Sequence, residues 1–140
     1  MRFMLLVKSD PACDQEGPPQ DERFLKAMDK YNEALVQAGA LVELWGLHPS
    51  SQGARVRFSK GIVTVTDGPF PETKEAIGGY WIIDVKSKED ALQWAKRAPM
   101  PETRELEIEL RQIHDVGDFA PRRVLEKAPK PLKKLAANKS

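Results

Sequence analysis

The chain has 140 residues, a formal net charge of +1, 41% apolar residues and 31% charged residues. This composition is typical of one globular domain, which at this length can bury a core without disulfides or metals. No apolar run approaches the roughly 18 residues of a membrane span, so we expect no membrane contact. The single cysteine, Cys13, permits no internal disulfide and favours a reducing, cytoplasmic compartment.

The charges are distributed unevenly along the chain. Residues 121–140 hold seven basic residues and one acidic residue, a net charge of +6, whereas residues 1–120 have a net charge of −5. The C-terminal part also has three prolines and few apolar residues, which predicts a domain over 1–119 and a basic, flexible tail over 120–140. Its last twenty residues include no aromatic residue for stacking on bases, so we do not expect nucleic-acid binding.

The first elements are a strand and a helix. Arg2–Lys8 is a continuous apolar run, typical of a strand covered on both faces. Residues 9–20 contain three prolines and a glycine and are expected to form a loop. A helix is predicted from Asp21, as its N-cap, to Ala38, with Gly39 at its C-terminal end. Its apolar stripe recurs at helical spacing: Phe24, Met28, Tyr31 and Leu35.

The middle of the chain predicts three strands. Ala40–Leu47 is apolar on both faces, and Ala54–Ser59 alternates basic with apolar residues before a turn at Lys60-Gly61. Ile62–Thr66 continues this ribbon. A loop containing two Gly or Pro clusters then leads to a β-branched and aromatic run, Tyr80–Val85.

The last elements are a second helix and a strand. The helix begins at Ser87 or Lys88, with Ser87 as a cap, and ends before Pro99. The strand within residues 102–113 alternates apolar residues with glutamates, as a half-buried strand does. The element order predicts an α+β, ferredoxin-like βαββαβ sandwich: an antiparallel sheet with two helices on one face. We place the ribbon in this sheet as a split third strand.

The sheet face without helices also receives large apolar residues in this arrangement. An apolar face of this kind favours a partner, and twofold self-association is the commonest solution. We therefore expect a homodimer, joined through the helix-free face into a dimeric α/β barrel-like assembly. The residues expected on this face are Met4, Leu6, Val42, Leu44 and either Tyr80 with Ile82 or Trp81 with Ile83.

The loop after the ribbon carries the first candidate chemistry. Asp67 could act as an acid, a base or a ligand group in a cleft. Alternatively, Asp67 accepts backbone hydrogen bonds in an Asx-turn, Gly68 supplies a positive φ and Phe70 fixes the loop on the core. Glu72 could act as a base and Lys74 as a ligand-binding electrophile, or both could belong to a solvated loop.

Other candidates lie before this loop. His48 follows a strand end and is our preferred residue for acid/base chemistry, the alternative being a turn histidine. Arg55 and Arg57 share one strand face and could bind an anion, or could pair with Glu107 and Glu109 across the sheet. No metal-ligand spacing or phosphate-binding glycine motif occurs, so we predict neither a metal nor a cofactor.

Several segments together identify a resemblance. The sequences TDGPF and ETKE over residues 66–75, GGYWIIDV over 78–85 and KSKEDALQWAKRAP over 86–99 resemble the YCII-related family in its DGPF-motif branch, over about residues 2–119. The resemblance implies a ferredoxin-like domain that dimerises sheet to sheet. Shorter members of the family carry a histidine on the first helix and an aspartate after the second. Those positions fall near residues 29–31 and at Ala98, and this chain has neither the histidine at the first position nor the aspartate at the second.

Two functions follow as expectations. The first is a cytoplasmic homodimer that binds a small polar or anionic organic molecule in a cleft, with lyase-type acid/base chemistry by His48, Asp67 and Glu72. Arg55, Arg57, Phe70 and Lys74 would contact that ligand. The second is a non-catalytic binding or regulatory module, since members of the DGPF branch often resemble partners of transcription-initiation sigma factors.

Overall fold

The computed structural model describes residues 1–9, 11–17, 19–70, 76–102 and 104–115. They form an α+β domain with antiparallel sheets and three helices, consistent with a ferredoxin-like fold. The strands are β1 (Arg2–Ser9), β2 (Leu41–Gly46), β3 (Ala54–Ser59), β4 (Ile62–Asp67), β5 (Ala76–Asp84) and β6 (Glu107–Gln112). The helices are α1 (Pro11–Glu16), α2 (Glu22–Gln37) and α3 (Lys88–Arg97), and Ser50–Gln52 form a short 3₁₀ turn.

The four-stranded sheet has the order β2-β5-β1-β6, with β1 antiparallel to both of its neighbours. This is the order that a βαββαβ chain produces when its second strand and its last strand become the edges. The predicted long helices are confirmed. The Asp21 carboxylate accepts a hydrogen bond from the Arg23 amide at the start of α2, and the Ser87 hydroxyl accepts one from the Asp90 amide at the start of α3.

The ribbon departs from the prediction. Strands β3 and β4 pair only with each other and form a separate two-stranded sheet, so they are not a split third strand of the main sheet. We call residues 54–67 the hairpin. Every residue of its two strands is exposed. The alternation of the sequence correctly separates the two faces of the hairpin, but alternation does not specify which surface, if any, covers a face.

Two local expectations were also wrong. Residues 9–20 are not all loop, since β1 runs to Ser9 and Pro11–Glu16 form α1. Strand β5 begins at Ala76, so Gly78 and Gly79 lie within a strand rather than in the preceding loop. Gly78 is the extra residue of a β-bulge, because Val7 pairs with Gly79 and Lys8 pairs with Ile77.

The core lies between the sheet and helices α2 and α3. Phe3, Leu5, Trp81 and Ile83 point from the two central strands towards these helices and are buried. The Tyr31 ring packs edge-on against both Trp81 and Trp94, with centroid distances of 5.4 and 6.0 Å. Strand alternation therefore places Tyr80 and Ile82, with Met4 and Leu6, on the helix-free face, whereas Leu44 packs against the core.

The predicted tail over 120–140 and the residues Glu72 and Lys74 lie outside the described part of the chain. None of the helices in the described ranges combines the length and apolar character that crossing a membrane requires.

Candidate functional site

A cavity of about 350 Å³ lies between the N-terminal half of α2 and one end of the four-stranded sheet. Its origin is visible in the rows of side chains that face the helices. One row holds Leu44, Trp81, Leu5 and Leu110, whereas the next row holds Gly46, Gly79, Val7 and Ile108. Two neighbouring glycines leave part of the sheet without side chains, and the helix above cannot fill that space.

The two glycines differ in the space around them. A Cβ on Gly79 would lie 2.9 Å from the Trp45 carbonyl oxygen, which is too close for a side chain without movement of the backbone. A Cβ on Gly46 would meet no atom within 4 Å. A larger side chain at position 46 would therefore fit sterically, and it would occupy part of the cavity.

The walls of the cavity are largely apolar. Helix α2 supplies half-buried Phe24 and Met28, and β5 supplies Trp81. The segment between α3 and β6 closes another side with Pro99, Met100 and Leu106. Burial of apolar ligand surface here would be favourable by roughly 25 cal/mol per Å².

One amide on the wall has a defined orientation. The Trp81 indole Nε1–H donates a 2.9 Å hydrogen bond to Asn32. An indole N–H is only a donor, so the atom of Asn32 that it meets is the carbonyl oxygen. The Asn32 Nδ2 group, which can donate two hydrogen bonds, donates to no residue in the described ranges. Asn32 thus brings a half-buried donor to an apolar cavity.

Charged residues lie at the ends of the cavity wall. The Arg104 guanidinium donates to the carbonyl oxygen of Gly17 at 2.8 Å, which joins the segment before β6 to the end of α1. The Asp14 carboxylate accepts hydrogen bonds from the Ser50 amide at 3.2 Å and from the Ser50 hydroxyl at 2.5 Å. These contacts fix α1 against the 3₁₀ turn.

The DGPF residues lie on the other side of this turn. The Gly68 amide donates to the Gly53 carbonyl at 2.9 Å, and the Gly68–Pro69 peptide bond is cis. A Cβ on Gly68 would overlap the backbone carbonyl of Ser50. Gly68 is therefore required for close approach and not for a positive φ, which corrects that part of the sequence prediction.

Asp67 and Phe70 also differ from the purely structural roles that the sequence suggested as an alternative. The Asp67 side chain is exposed and accepts no hydrogen bond from a described residue, so the expected Asx-turn is not observed there. The Phe70 ring is half-buried under the Arg55 guanidinium, whose central carbon lies 3.9 Å from the ring centroid. The motif closes the base of the hairpin onto the 3₁₀ turn.

The predicted site residues are only partly brought together. Arg55 and Phe70 are in contact, whereas His48, Arg57 and Asp67 are exposed and none of the three lines the cavity. Glu109 pairs with Lys8 and Arg111, and β6 belongs to a different sheet from Arg55 and Arg57, so the expected pairing of these arginines is wrong. The Lys8 hydrogen bond and charge lower the pKa of Glu109.

The cavity residues Asn32, Arg104 and Asp14 were not anticipated. The sequence signal that could have located the cavity is glycine within apolar strands, at Gly46 and Gly79, since a missing side chain commonly marks a bulge or a close approach. Among the described residues, no group of His, Cys, Asp or Glu side chains is arranged to hold a metal ion.

The fold and the site together define a small α+β domain with ferredoxin-like strand order and an apolar cavity at one end of its sheet. Residues 1–115 match the YCII-related domain, and the chain belongs to that family. It is also 33% identical over 97 residues to an uncharacterised protein of Rhizobium meliloti (strain 1021), a match that covers 69% of this chain and 78% of the relative.

Proposed function

We propose that this protein binds a compact organic molecule that has an apolar body and a hydrogen-bond acceptor such as a carbonyl or carboxylate. The cavity of about 350 Å³ carries this proposal, because its volume suits a small organic ligand. The apolar walls would bury the body of the molecule. The Asn32 amide, held by Trp81, would donate to the acceptor group, and the Arg104 cation on the same wall would favour an anion.

Non-catalytic binding accounts best for this geometry, because the acid/base candidates His48 and Asp67 lie exposed and away from the cavity. Lyase-type chemistry by His48, Asp67 and Glu72 stays a prediction, and so does assignment to the DGPF branch. Cytoplasmic location and a regulatory role likewise remain predictions.

The test is a ligand screen by thermal shift and ligand-observed NMR. It uses aromatic and branched aliphatic carboxylates, each paired with an analogue in which a methyl group replaces the carboxylate. We expect a subset of the carboxylates to raise the melting temperature of the wild-type protein. Gly46→Leu should abolish this effect, since its side chain enters the cavity without a steric clash at Cβ.

Two further variants separate donor chemistry from charge. Asn32→Asp keeps an acceptor for the Trp81 indole but replaces the Nδ2 donors with oxygen. We expect the dissociation constant for the carboxylate to rise by roughly tenfold or more. Lys30→Gln, at an exposed position of α2, lowers the net charge by the same amount and should bind as wild type does. Equal binding by wild type and Gly46→Leu would contradict the proposed location of the site.

A further inference from the structure

The end of the hairpin that carries the turn exposes large apolar side chains on both of its faces. The register pairs Phe58 with Val63 on one face and Ser59 with Ile62 on the other. The exposed fraction is 77% for Phe58, 67% for Ile62 and 59% for Val63. These three apolar side chains surround the end of a narrow ribbon, and we call them the apolar tip. Clustered exposed apolar residues of this kind indicate an interaction site.

The backbone of the hairpin places the apolar tip far from its base. Lys60 and Gly61 form the turn and have φ angles of 49° and 79°, a pair of positive values that is typical of a tight type I′ turn. The other end is closed by the 2.9 Å hydrogen bond from the Gly68 amide to the Gly53 carbonyl. Strands of six residues place the apolar tip roughly 20 Å from that bond. Because every residue of both strands is exposed, the apolar tip can meet another surface without displacing any part of the described domain.

The charges around the apolar tip all have one sign. Residues 44–66 contain Arg55, Arg57 and Lys60 and no acidic residue, whereas residues 1–120 as a whole have a net charge of −5. The hairpin is therefore a basic projection on an acidic domain. A surface with negative charge attracts the hairpin and repels the rest of the domain, so it orients the apolar tip towards itself.

An anionic lipid surface matches both features better than a protein surface does. A protein that packs flat on the hairpin covers one face only, either that of Phe58 and Val63 or that of Ile62. A bilayer surrounds an inserted segment on all sides, and interfacial segments insert to a depth of about 5–10 Å. That depth includes the two residue pairs next to the turn. The Arg57 guanidinium and the Lys60 ammonium, on its long apolar stem, would then reach the lipid phosphates.

We propose that the hairpin inserts its apolar tip, formed by Phe58, Ile62 and Val63, into the surface of membranes that contain anionic lipids. The expectation of no membrane contact was based on the lack of an apolar run long enough to span a bilayer, and surface insertion needs no such run. Three apolar side chains and three cations give a reversible contact and not a permanent anchor. None of these residues lines the ligand cavity, so the proposal is independent of the proposed function.

The experiment is co-sedimentation of the full chain with vesicles of phosphatidylcholine alone or of phosphatidylcholine and phosphatidylserine in equal parts. The wild type should bind the mixed vesicles and bind the neutral vesicles more weakly. Phe58→Asp and Ile62→Asp, on opposite faces, should each lower the partition coefficient by roughly tenfold or more, because an inserted apolar side chain becomes a charge. Val36→Asp is the matched control, since it makes the same change of charge at an exposed apolar position of α2 and should bind as wild type does.

A fluorescence experiment tests which residues enter the membrane. In a Cys13→Ser background, an environment-sensitive fluorophore is attached to Phe58→Cys, Ile62→Cys or Val36→Cys. Mixed vesicles should shift the emission to the blue at positions 58 and 62 and leave it unchanged at position 36.

Three results would overturn the proposal. The first is a wild type that does not bind the mixed vesicles. The second is equal binding by Phe58→Asp and Val36→Asp, which would assign vesicle binding to another basic segment, such as residues 121–140. The third is a blue shift at position 58 without vesicles, rising with protein concentration and not increased by vesicles, which would show that a second copy covers the hairpin.

Discussion

Contacts of the single residue Ser50 hold the 3₁₀ turn against both α1 and the base of the hairpin. Ser50 is bound by the Asp14 carboxylate on one side, and its carbonyl is approached by Gly68 on the other. The sequence made Asp67-Gly68-Pro69-Phe70 conspicuous but did not reveal Ser50 or Asp14. Their contact joins positions 36 residues apart, and no local pattern encodes such a pairing. The sequence correctly predicted that Gly68 is needed in a tight loop. It gave a positive φ as the reason, whereas the structure shows a close approach to the Ser50 carbonyl.

Gly68→Ala tests the close approach at Ser50. The added methyl group must displace backbone rather than a flexible side chain, so we expect a loss of about 1–3 kcal/mol in the free energy of unfolding. Urea denaturation measures this loss. Gly46→Ala is the control, because its Cβ meets no atom within 4 Å and its stability should stay near that of the wild type. Equal stability of the two variants would show that Gly68 is not sterically required.

Tyr31 gives a prediction for alkaline pH. Burial raises the pKa of Tyr31 to about 12, from 10.0 for a free tyrosine, with the Arg97 charge acting in the opposite direction. Between about pH 10 and 12 the unfolded chain therefore releases this proton while the folded chain keeps it. The contribution of Tyr31 to stability is complete below pH 10 and is lost as the pH rises through that window.

Tyr31→Phe should remove this part of the alkaline destabilisation, measured as the unfolding midpoint against pH for both proteins. At neutral pH the variant should be about 1 kcal/mol less stable, because the 2.8 Å hydrogen bond from the Tyr31 hydroxyl to the Trp94 carbonyl is lost. Tyr80, whose pKa is also raised, is present in both proteins and cancels in the comparison. Parallel pH profiles would contradict the assignment to Tyr31.

At the scale of elements, periodicity was sufficient for the main sheet and its long helices. The stripe from Phe24 to Leu35 and the alternation around Leu110 each specify one buried face, and both faces pack on the core as expected. Helix α1 was missed because the three prolines of residues 9–20 indicate a loop, although only Pro11 belongs to the helix and it is at the first helical position, where proline is tolerated. The hairpin was placed in the wrong sheet because strand pairing depends on contacts outside its own sequence.

Removal of the hairpin is the prediction at this scale. Gly53 and Gly68 are joined by a backbone hydrogen bond, so a chain in which Gly53 is followed directly by Gly68 closes without spanning a gap. Because the hairpin forms its own sheet, the shortened protein should keep the four-stranded sheet. Its free energy of unfolding should lie within about 1 kcal/mol of that of the full-length protein, measured by urea denaturation and circular dichroism. Loss of cooperative unfolding would show that the hairpin stabilises the core.

For the whole molecule, family and fold were accessible from the sequence, whereas the position of the cavity was not. Titratable residues commonly mark a site, and they favour a cleft at the polar loop near His48 and Asp67. The cavity instead follows from absent side chains at Gly46 and Gly79, facing α2 across the sheet. An empty volume depends on how three elements pack, and residue-by-residue reading of one chain does not provide that packing.

Ser50 also has a mechanical consequence. Ser50 contacts both α1 on the cavity wall, through Asp14, and the base of the hairpin, through Gly68. Both contacts are close: the Asp14 contact is a short hydrogen bond, and the Gly68 contact is an approach of one backbone to another. A ligand that pushes α1 outward would therefore displace Ser50, and the strain would reach the base of the hairpin.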